Sequence, residues 1–206
     1  MADIEIVDVP VPASAGAPGW ELFAETQQVW SASEAHGYGT TDVMLPAADQ
    51  LPRWLDPEQR SWICAATDDG RVVGRLGVTA TREAPGTASV ELHVLPSERG
   101  RGIGSHLVER LAELSAAERH TKLITYAVSP DGPGERLVPP TGFGSVPCDN
   151  PEVRFLRNRG WRLEQVVRAS RYPLPPDAAL LARLRAEAET HAAGYRIRAW
   201  AGPSPQ

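Results

Sequence analysis

Residues 3–11 (DIEIVDVPV) alternate apolar and polar side chains, the period of a strand with one face buried. The alternation breaks at 13–18. From 20 to 35, Leu22, Phe23, Val29 and Trp30 recur at roughly helical spacing, which predicts an amphipathic helix ending near Gly37. A second short helix fits within 42–55, its extent blurred by Pro46 and Pro52. Two strand-like runs, 61–66 (SWICAA) and 71–79 (RVVGRLGVT), then flank Asp68-Asp69-Gly70, where glycine supplies the positive φ of a tight hairpin. Gly74 and Gly77 inside the second run predict a bulge or the close approach of another group. A third run at 90–95 extends these into an antiparallel meander.

The period then changes. Gly100, Gly102 and Gly104 interrupt the chain, and beyond them Ile103, Leu107, Val108, Leu111 and Leu114 form one apolar stripe, with Glu109, Arg110, Glu113 and Arg119 largely opposite. A strand at 123–128 follows, and a right-handed crossover sets it parallel to the 90–95 strand. Residues 129–150 are a long Pro/Gly-rich loop, of the kind that is functional or mobile. Asn150 caps a short helix at 151–158, with Pro151 in its first turn. Residues 161–172 are long enough for one bent strand or two, 177–193 read as a strong helix, and 195–200 (YRIRAW) alternate like a further strand. The element order is that of an α/β chain, α+β-like, with one mixed sheet.

Composition narrows the function classes. The 206 residues are 42% hydrophobic and 23% charged, an ordinary globular balance. A net charge of −5 argues against general affinity for nucleic acid or anionic membranes, and leans towards a cationic partner such as an amine. The first residues lack a basic leader and an apolar signal core, and no run approaches membrane-span length, so the expected location is the cytoplasm. Cys64 and Cys148 make no disulfide framework and read as two buried thiols in a reducing compartment. His36, His106, His120 and His191 lack metal-ligand spacing, so no metal is predicted. A single lysine, Lys122, among 21 basic residues suggests a GC-rich bacterial genome.

The glycine turn carries the candidate chemistry. Glycines let a ligand approach the backbone, and a helix start presents N–H groups without intrahelical partners, so such a turn is built to hold phosphate. A P-loop would need Lys followed by Ser or Thr after its last glycine, and Lys122 lies far from it. A dinucleotide fingerprint would need Gly or Ala at 105 or 107, where Ser105 and Leu107 stand. The run Val94-Leu95-Pro96-Ser97-Glu98-Arg99-Gly100-Arg101-Gly102-Ile103-Gly104 instead resembles the central motif of the GNAT acyltransferases, an apolar strand followed by Gln/Arg-x-x-Gly-x-Gly/Ala. The order of elements from about residue 4 to 174 is similar to that family as well.

The resemblance implies the GNAT fold, with splayed central strands, and acetyl-CoA as co-substrate. It assigns the pyrophosphate to the backbone amides of Gly100, Arg101, Gly102, Ile103, Gly104 and Ser105, with Arg99 opening the set. Backbone groups of Leu92, His93 and Val94 would meet the pantetheine, and Asn150 matches a polar residue that bonds the cofactor in relatives. The implied reaction is N-acetylation of a small-molecule primary amine by direct attack in a ternary complex. Glu91 and His93, two apart and on one face of a regular strand, are the candidate bases. A bulge would instead turn Val90, Leu92 and Val94 towards the acceptor. The family's usual acid is a Tyr in the pattern F-Y-x-x-x-G-F; here Phe155-Leu156-Arg157-Asn158-Arg159-Gly160-Trp161 places Leu156 there, and Tyr126 is the candidate substitute. The tail resembles the entry to the second unit of bacterial tandem-GNAT proteins. The expected division is therefore an acetyltransferase domain at 1–175, then a linker helix and opening strand at 176–206, pairing with a second unit or another copy. The alternative reading is a non-catalytic acyl-CoA-binding or pairing module.

Overall fold

The opening alternation becomes β1 (Ile4–Asp8). It is the first strand of a five-stranded sheet in the computed structural model, which describes residues 4–199 and 201. The sheet runs β1–β2–β3–β4–β5, with β2 at Gln59–Asp68, β3 at Arg71–Thr81, β4 at Thr87–Val94 and β5 at Lys122–Thr125. Neighbours are antiparallel except β4 and β5, which are parallel, as the crossover predicts. Asp69 and Gly70 both take positive φ, 50° and 78°, the primed turn that matches strand twist.

Two helical layers cover the sheet. α3 (Ile103–Ala117) lays Ile103, Leu107, Leu111 and Leu114 against Cys64, Val78, Ala88 and Val90 on one face. α1 (Trp20–Tyr38) and α2 (Ala47–Trp54) cover the other, packing Phe23, Val29, Leu51 and Trp54 on Ile63, Ala65 and Val72. β3 lies between both layers, and every residue from Val72 to Ala80 is buried. Its two glycines answer both expectations. The register moves from Ala66↔Gly74 to Thr67↔Val72, leaving Val73 as a bulged extra residue. A Cβ at Gly74 would meet Ile103 Cγ2 at 2.9 Å, and one at Gly77 would meet the Trp54 ring at 2.7 Å. Both cysteines are free and buried.

The feature that positions the site is a parting of strands. The β4–β5 ladder runs from Thr87↔Lys122 to Val90↔Thr125 and stops, while β4 continues to Val94 beside β3 alone. Thr125 Oγ1 donates to Val90 O (2.9 Å) and closes the ladder.

Some expectations are corrected. Residues 161–172 form no strand. Trp161, Leu163 and Val166 are half-buried among exposed neighbours, yet no ladder takes up their backbone groups. Val166 seats its side chain against Gly144, where a Cβ would meet it at 2.9 Å. Sufficient length shows that a segment could run as a strand, not that a neighbouring strand exists. The long loop also holds a small hairpin, β6 (Arg136–Leu137) with β7 (Val146–Pro147), too short for any period to reveal. α4 spans Pro151–Arg157. The chain divides into a larger unit ending at Val166 and a smaller one beginning at Val167. In the smaller unit, α5 (Ala178–His191) is capped by Asp177, whose carboxylate accepts from the backbone N–H groups of Ala179 (2.8 Å) and Leu180 (3.1 Å). Residues 195–199 form no strand, and Trp200, the last residue of that expected strand, lies outside the described residues.

Candidate active site

The glycine turn follows β4 through a 3-10 turn at Pro96–Glu98. Gly100 and Gly102 sit at φ 80° and 87°, and Gly102 is the N-cap of α3. The left-handed conformation is costly for any residue with a Cβ, which is the physical reason for glycine at both positions. Gly104 is required differently: α4 packs Phe155 over it, and a Cβ there would meet the ring at 3.0 Å. Among the described residues, the backbone N–H groups of Gly100, Arg101, Gly102, Ile103 and Gly104 have no acceptor, whereas Ser105 N–H donates to Gly102 O at 2.8 Å. These five donors stand at the positive end of a 15-residue helix, where the potential favours a negatively charged group.

Side-chain charge around the turn is largely spoken for. Arg101 pairs with Glu98 and with Asp68 Oδ2 (2.7 Å), and Arg71 Nη2 reaches Glu98 Oε1 at 2.5 Å. Arg99 bends over the end of β4, its Nε donating to Val94 O (3.4 Å) and its Nη2 to Ser33 Oγ on α1 (3.1 Å). Arg159, which has no motif to mark it, stacks on Phe155 (3.8 Å) and donates to Ser105 Oγ (2.7 Å), placing a cation at the first turn of α3.

The parted strands expose a specific backbone edge. Val90 O points towards β5, since Thr125 bonds it there. Backbone direction alternates along a strand, so the N–H and C=O of Leu92 and Val94 also point to that side, beyond the end of β5. Those of His93 point to β3. The strand is regular here, so the side chains follow the opposite rule: Val90, Leu92 and Val94 pack on the α3 layer, and Glu91 and His93 face α1 and α2.

There they enter a buried ionic cluster. Arg75 on β3, directly opposite His93, is 1% exposed; its Nη1 donates to Glu91 Oε2 at 3.0 Å, and its guanidinium lies 5.0 Å from the Trp54 ring. Arg53 on α2 reaches Glu91 Oε1 at 2.5 Å. Burial alone pushes the Glu91 carboxyl up, but the Arg75 and Arg53 guanidiniums more than offset it and hold the group below the usual carboxylate range. Burial draws the Arg75 guanidinium down although Glu91 opposes this; such a group stays protonated at neutral pH. Burial, joined by the Arg75 charge, drives His93 down to about 3, so its imidazole is neutral. Glu34 of α1 belongs to the same cluster. It is 8% exposed, and burial, then the nearby Glu91 charge, raises its carboxyl above the usual range.

At the outer end, Tyr38 Oη and Tyr126 Oη lie 3.1 Å apart. Tyr126 follows β5 and is 56% exposed, and this hydrogen bond, aided by burial, raises Tyr38 to about 12. Asn150 is the N-cap of α4, but its side chain caps nothing; its Nδ2 donates instead to Ser129 Oγ and Pro130 O, both at 2.8 Å. Leu156 is half-buried on α4. Sequence reasoning singled out Glu91 and His93 but missed Glu34, Arg53 and Arg75. Two signals were present: an arginine in the middle of an otherwise apolar strand, and a glutamate eleven residues beyond Phe23 on the same helical stripe.

Among the described residues no group of three or more His, Cys, Asp and Glu side chains is arranged to hold a metal ion, and no helix is long and apolar enough to cross a membrane.

Known proteins supply the frame. The family model of the acetyltransferase (GNAT) family matches residues 23–136. No curated protein matches. Among solved structures, an aminoglycoside acetyltransferase from an uncultured soil metagenomic sample is 17% identical, with 83% of this chain and 99% of that one covered and a TM-score of 0.52. A second aminoglycoside acetyltransferase from such a sample, in complex with sisomicin, is 15% identical over 84% of this chain and 95% of that one, TM-score 0.50. A tandem GNAT protein from the clavulanic acid biosynthesis pathway is 27% identical over 65% of this chain, TM-score 0.48; the match spans 40% of that longer protein.

Proposed function

Because the chain belongs to the acetyltransferase (GNAT) family, we propose that it transfers the acetyl group of acetyl-CoA to a primary amine of a small molecule, by direct attack in a ternary complex. One observation carries the reading. The free edge of β4 leads directly into a turn whose five backbone N–H groups lack acceptors. A long molecule with amides along one half and phosphates at the other suits both parts at once. On this reading the amides of Gly100 to Gly104, with Ser105 at the edge of the set, hold the pyrophosphate. The Leu92 and Val94 peptides receive the pantetheine amides. Arg99 swings from Val94 O to phosphate, Arg159 adds a second cation, and Asn150 holds the 129–130 segment beside the cofactor. Tyr126 is the candidate proton donor to the departing thiolate. We further read residues 1–175 as the transferase domain and 176–206 as the link to a second unit, in a bacterial cytoplasm.

Thiol release from acetyl-CoA, followed against a panel of primary amines that includes aminoglycosides, tests the reaction. Release with at least one amine is expected. Acetyl-CoA binding without release across the panel favours a non-catalytic acyl-CoA module, a reading that the half-buried Leu156 at the usual Tyr position supports. The cradle is tested separately by Gly102→Ala. A Cβ at φ 87° costs about 1–2 kcal/mol and turns the adjoining amides away. Acetyl-CoA affinity should fall roughly tenfold by calorimetry, since about 1.4 kcal/mol is a factor of ten. An unchanged affinity removes the turn from the binding site.

A further inference from the structure

We propose that Glu34 is the proton acceptor for the attacking amine, an inference that rests on the acetyl-transfer reading above. Glu34 as a residue is 8% exposed, and its carboxylate has neither a hydrogen bond nor an ion pair among the described residues. Every other carboxylate named around this cluster and the turn, Glu91, Glu98 and Asp68, is tied to arginine. A carboxylate on so largely buried a residue, with no partner of its own, is costly to keep unless it meets a cation at some stage of function.

Its place in the fold supplies that cation's route. The preceding residue, Ser33, receives Arg99, whose other nitrogen bonds Val94 O at the parted end of β4. Four residues on, Tyr38 shares the Glu34 face of α1 and bonds Tyr126 just beyond β5. On α1, Glu34 is thus flanked by a residue bonded to the arginine at the end of β4 and by a tyrosine bonded to Tyr126, and it lies close enough to Glu91 and Arg75 to feel their charges. An amine entering past the tyrosines reaches this carboxylate on its way to the thioester.

The neighbours decide the role. From β4, Glu91 is held anionic by Arg75 of β3 and Arg53 of α2, and a carboxylate stabilised as an anion takes a proton poorly. His93, also from β4, is buried beside Arg75 and resists becoming imidazolium. Glu34 feels burial and the Glu91 charge, which both favour its protonated form, against Arg75 alone. Arg99, at the end of β4, and Tyr38 and Tyr126 complete the charged and titratable groups around it. In the step, one N–H proton of the ammonium passes to the Glu34 carboxylate. The freed nitrogen pair forms the C–N bond to the thioester carbonyl as the C–S bond breaks. The thiolate leaves, the nitrogen gives up its second N–H proton and the thiolate gains one, so the products are the amide, the free thiol and the proton that Glu34 passes on to solvent.

The test compares the full-length wild-type chain with Glu34→Gln and Glu34→Asp, measuring acetyl-CoA affinity, melting temperature and the pH profile of thiol release with the accepted amine. Glu34→Gln should bind acetyl-CoA within about twofold of wild type and lose about a hundredfold in kcat/KM. Its kcat/KM should also lose the limb that rises with pH, and Glu34→Asp should recover part of the rate. Stability supplies a readout that a merely structural role would move the other way. A carboxyl raised in the folded state favours folding below its unfolded pKa, and that contribution is lost as pH rises through the folded pKa. At pH 7.5 the glutamine variant should thus melt no lower than wild type. A lower melting temperature, or a variant within threefold of wild-type kcat/KM with the same pH profile, overturns the role of Glu34 while leaving acetyl transfer intact. A wild-type chain that binds acetyl-CoA but releases no thiol, or binds none, overturns the transfer reading and this one with it.

Discussion

Replacing Arg75 with alanine should destabilise the protein by about 3–5 kcal/mol at neutral pH, the cost of leaving a buried charge without its partner. The guanidinium is 1% exposed, donates to Glu91 at 3.0 Å and lies against the Trp54 ring. Its removal leaves three defects together. Glu91 keeps only Arg53, whose side chain is about half exposed and reaches in from the rim. Glu34 loses the one charge that favours its anion. A cavity also opens beneath Trp54, whose indole already approaches Gly77 as closely as a residue without a Cβ permits. Urea denaturation at pH 7.5 measures the loss. The double variant Arg75→Met, Glu91→Gln should recover a large part of it, because neutral side chains of similar volume need no counter-charge. A loss below about 1 kcal/mol for Arg75→Ala would mean that water reaches the cluster and that the pairing carries little.

The same residues mark the boundary of what the sequence discloses. β4, the glycine turn and α3 are legible because their signals are local: a strand period, positive-φ glycines and a 3.6-residue stripe adjoin each other between Thr87 and Ala117. The facing of Glu91 and His93 needed only one further fact, that Val90 and Leu92 pack on α3. The cluster itself was beyond reach. It depends on the register that sets Arg75 opposite His93 and on two helices folding over β4, and neither is encoded by spacing along the chain. The failed strand at 161–172 is the converse case. The segment is long enough for a strand, but a strand is defined by a neighbour, and no neighbour is written in the segment. The GNAT motif resemblance points to the glycine turn as the phosphate site for the same local reasons. It points to the β4 pair as base; Glu91 is tied to two arginines and the buried His93 imidazole is held neutral, and these are the grounds on which Glu34 is proposed in their place.

The stability of the protein should fall as the pH is lowered from 6.5, and His93 should be the main cause. Burial and the Arg75 charge hold its imidazole to about 3, against 6.5 when unfolded, with Glu91 only partly opposing. Between these values the unfolded chain binds a proton that the folded chain refuses. Stability is therefore complete above 6.5 and is lost progressively as pH falls towards 3. At about 1.4 kcal/mol per unit, the whole window amounts to something on the order of 5 kcal/mol. The upper part isolates the histidine. Carboxylates whose folded pKa is depressed, such as Glu91, begin to cost stability only near and below their unfolded value of 4.5. Glu34, raised by burial, moves the other way. His93→Gln keeps a polar side chain of similar length, so Glu34 and Glu91 remain in both proteins and their titrations largely cancel in the comparison. Denaturation at pH 7.5 and 5.0 should show wild type losing about 2 kcal/mol more than the variant across that interval. Parallel losses would mean that the imidazole accepts a proton in the folded state. His93 would then regain the standing of a working base at neutral pH, in direct competition with Glu34.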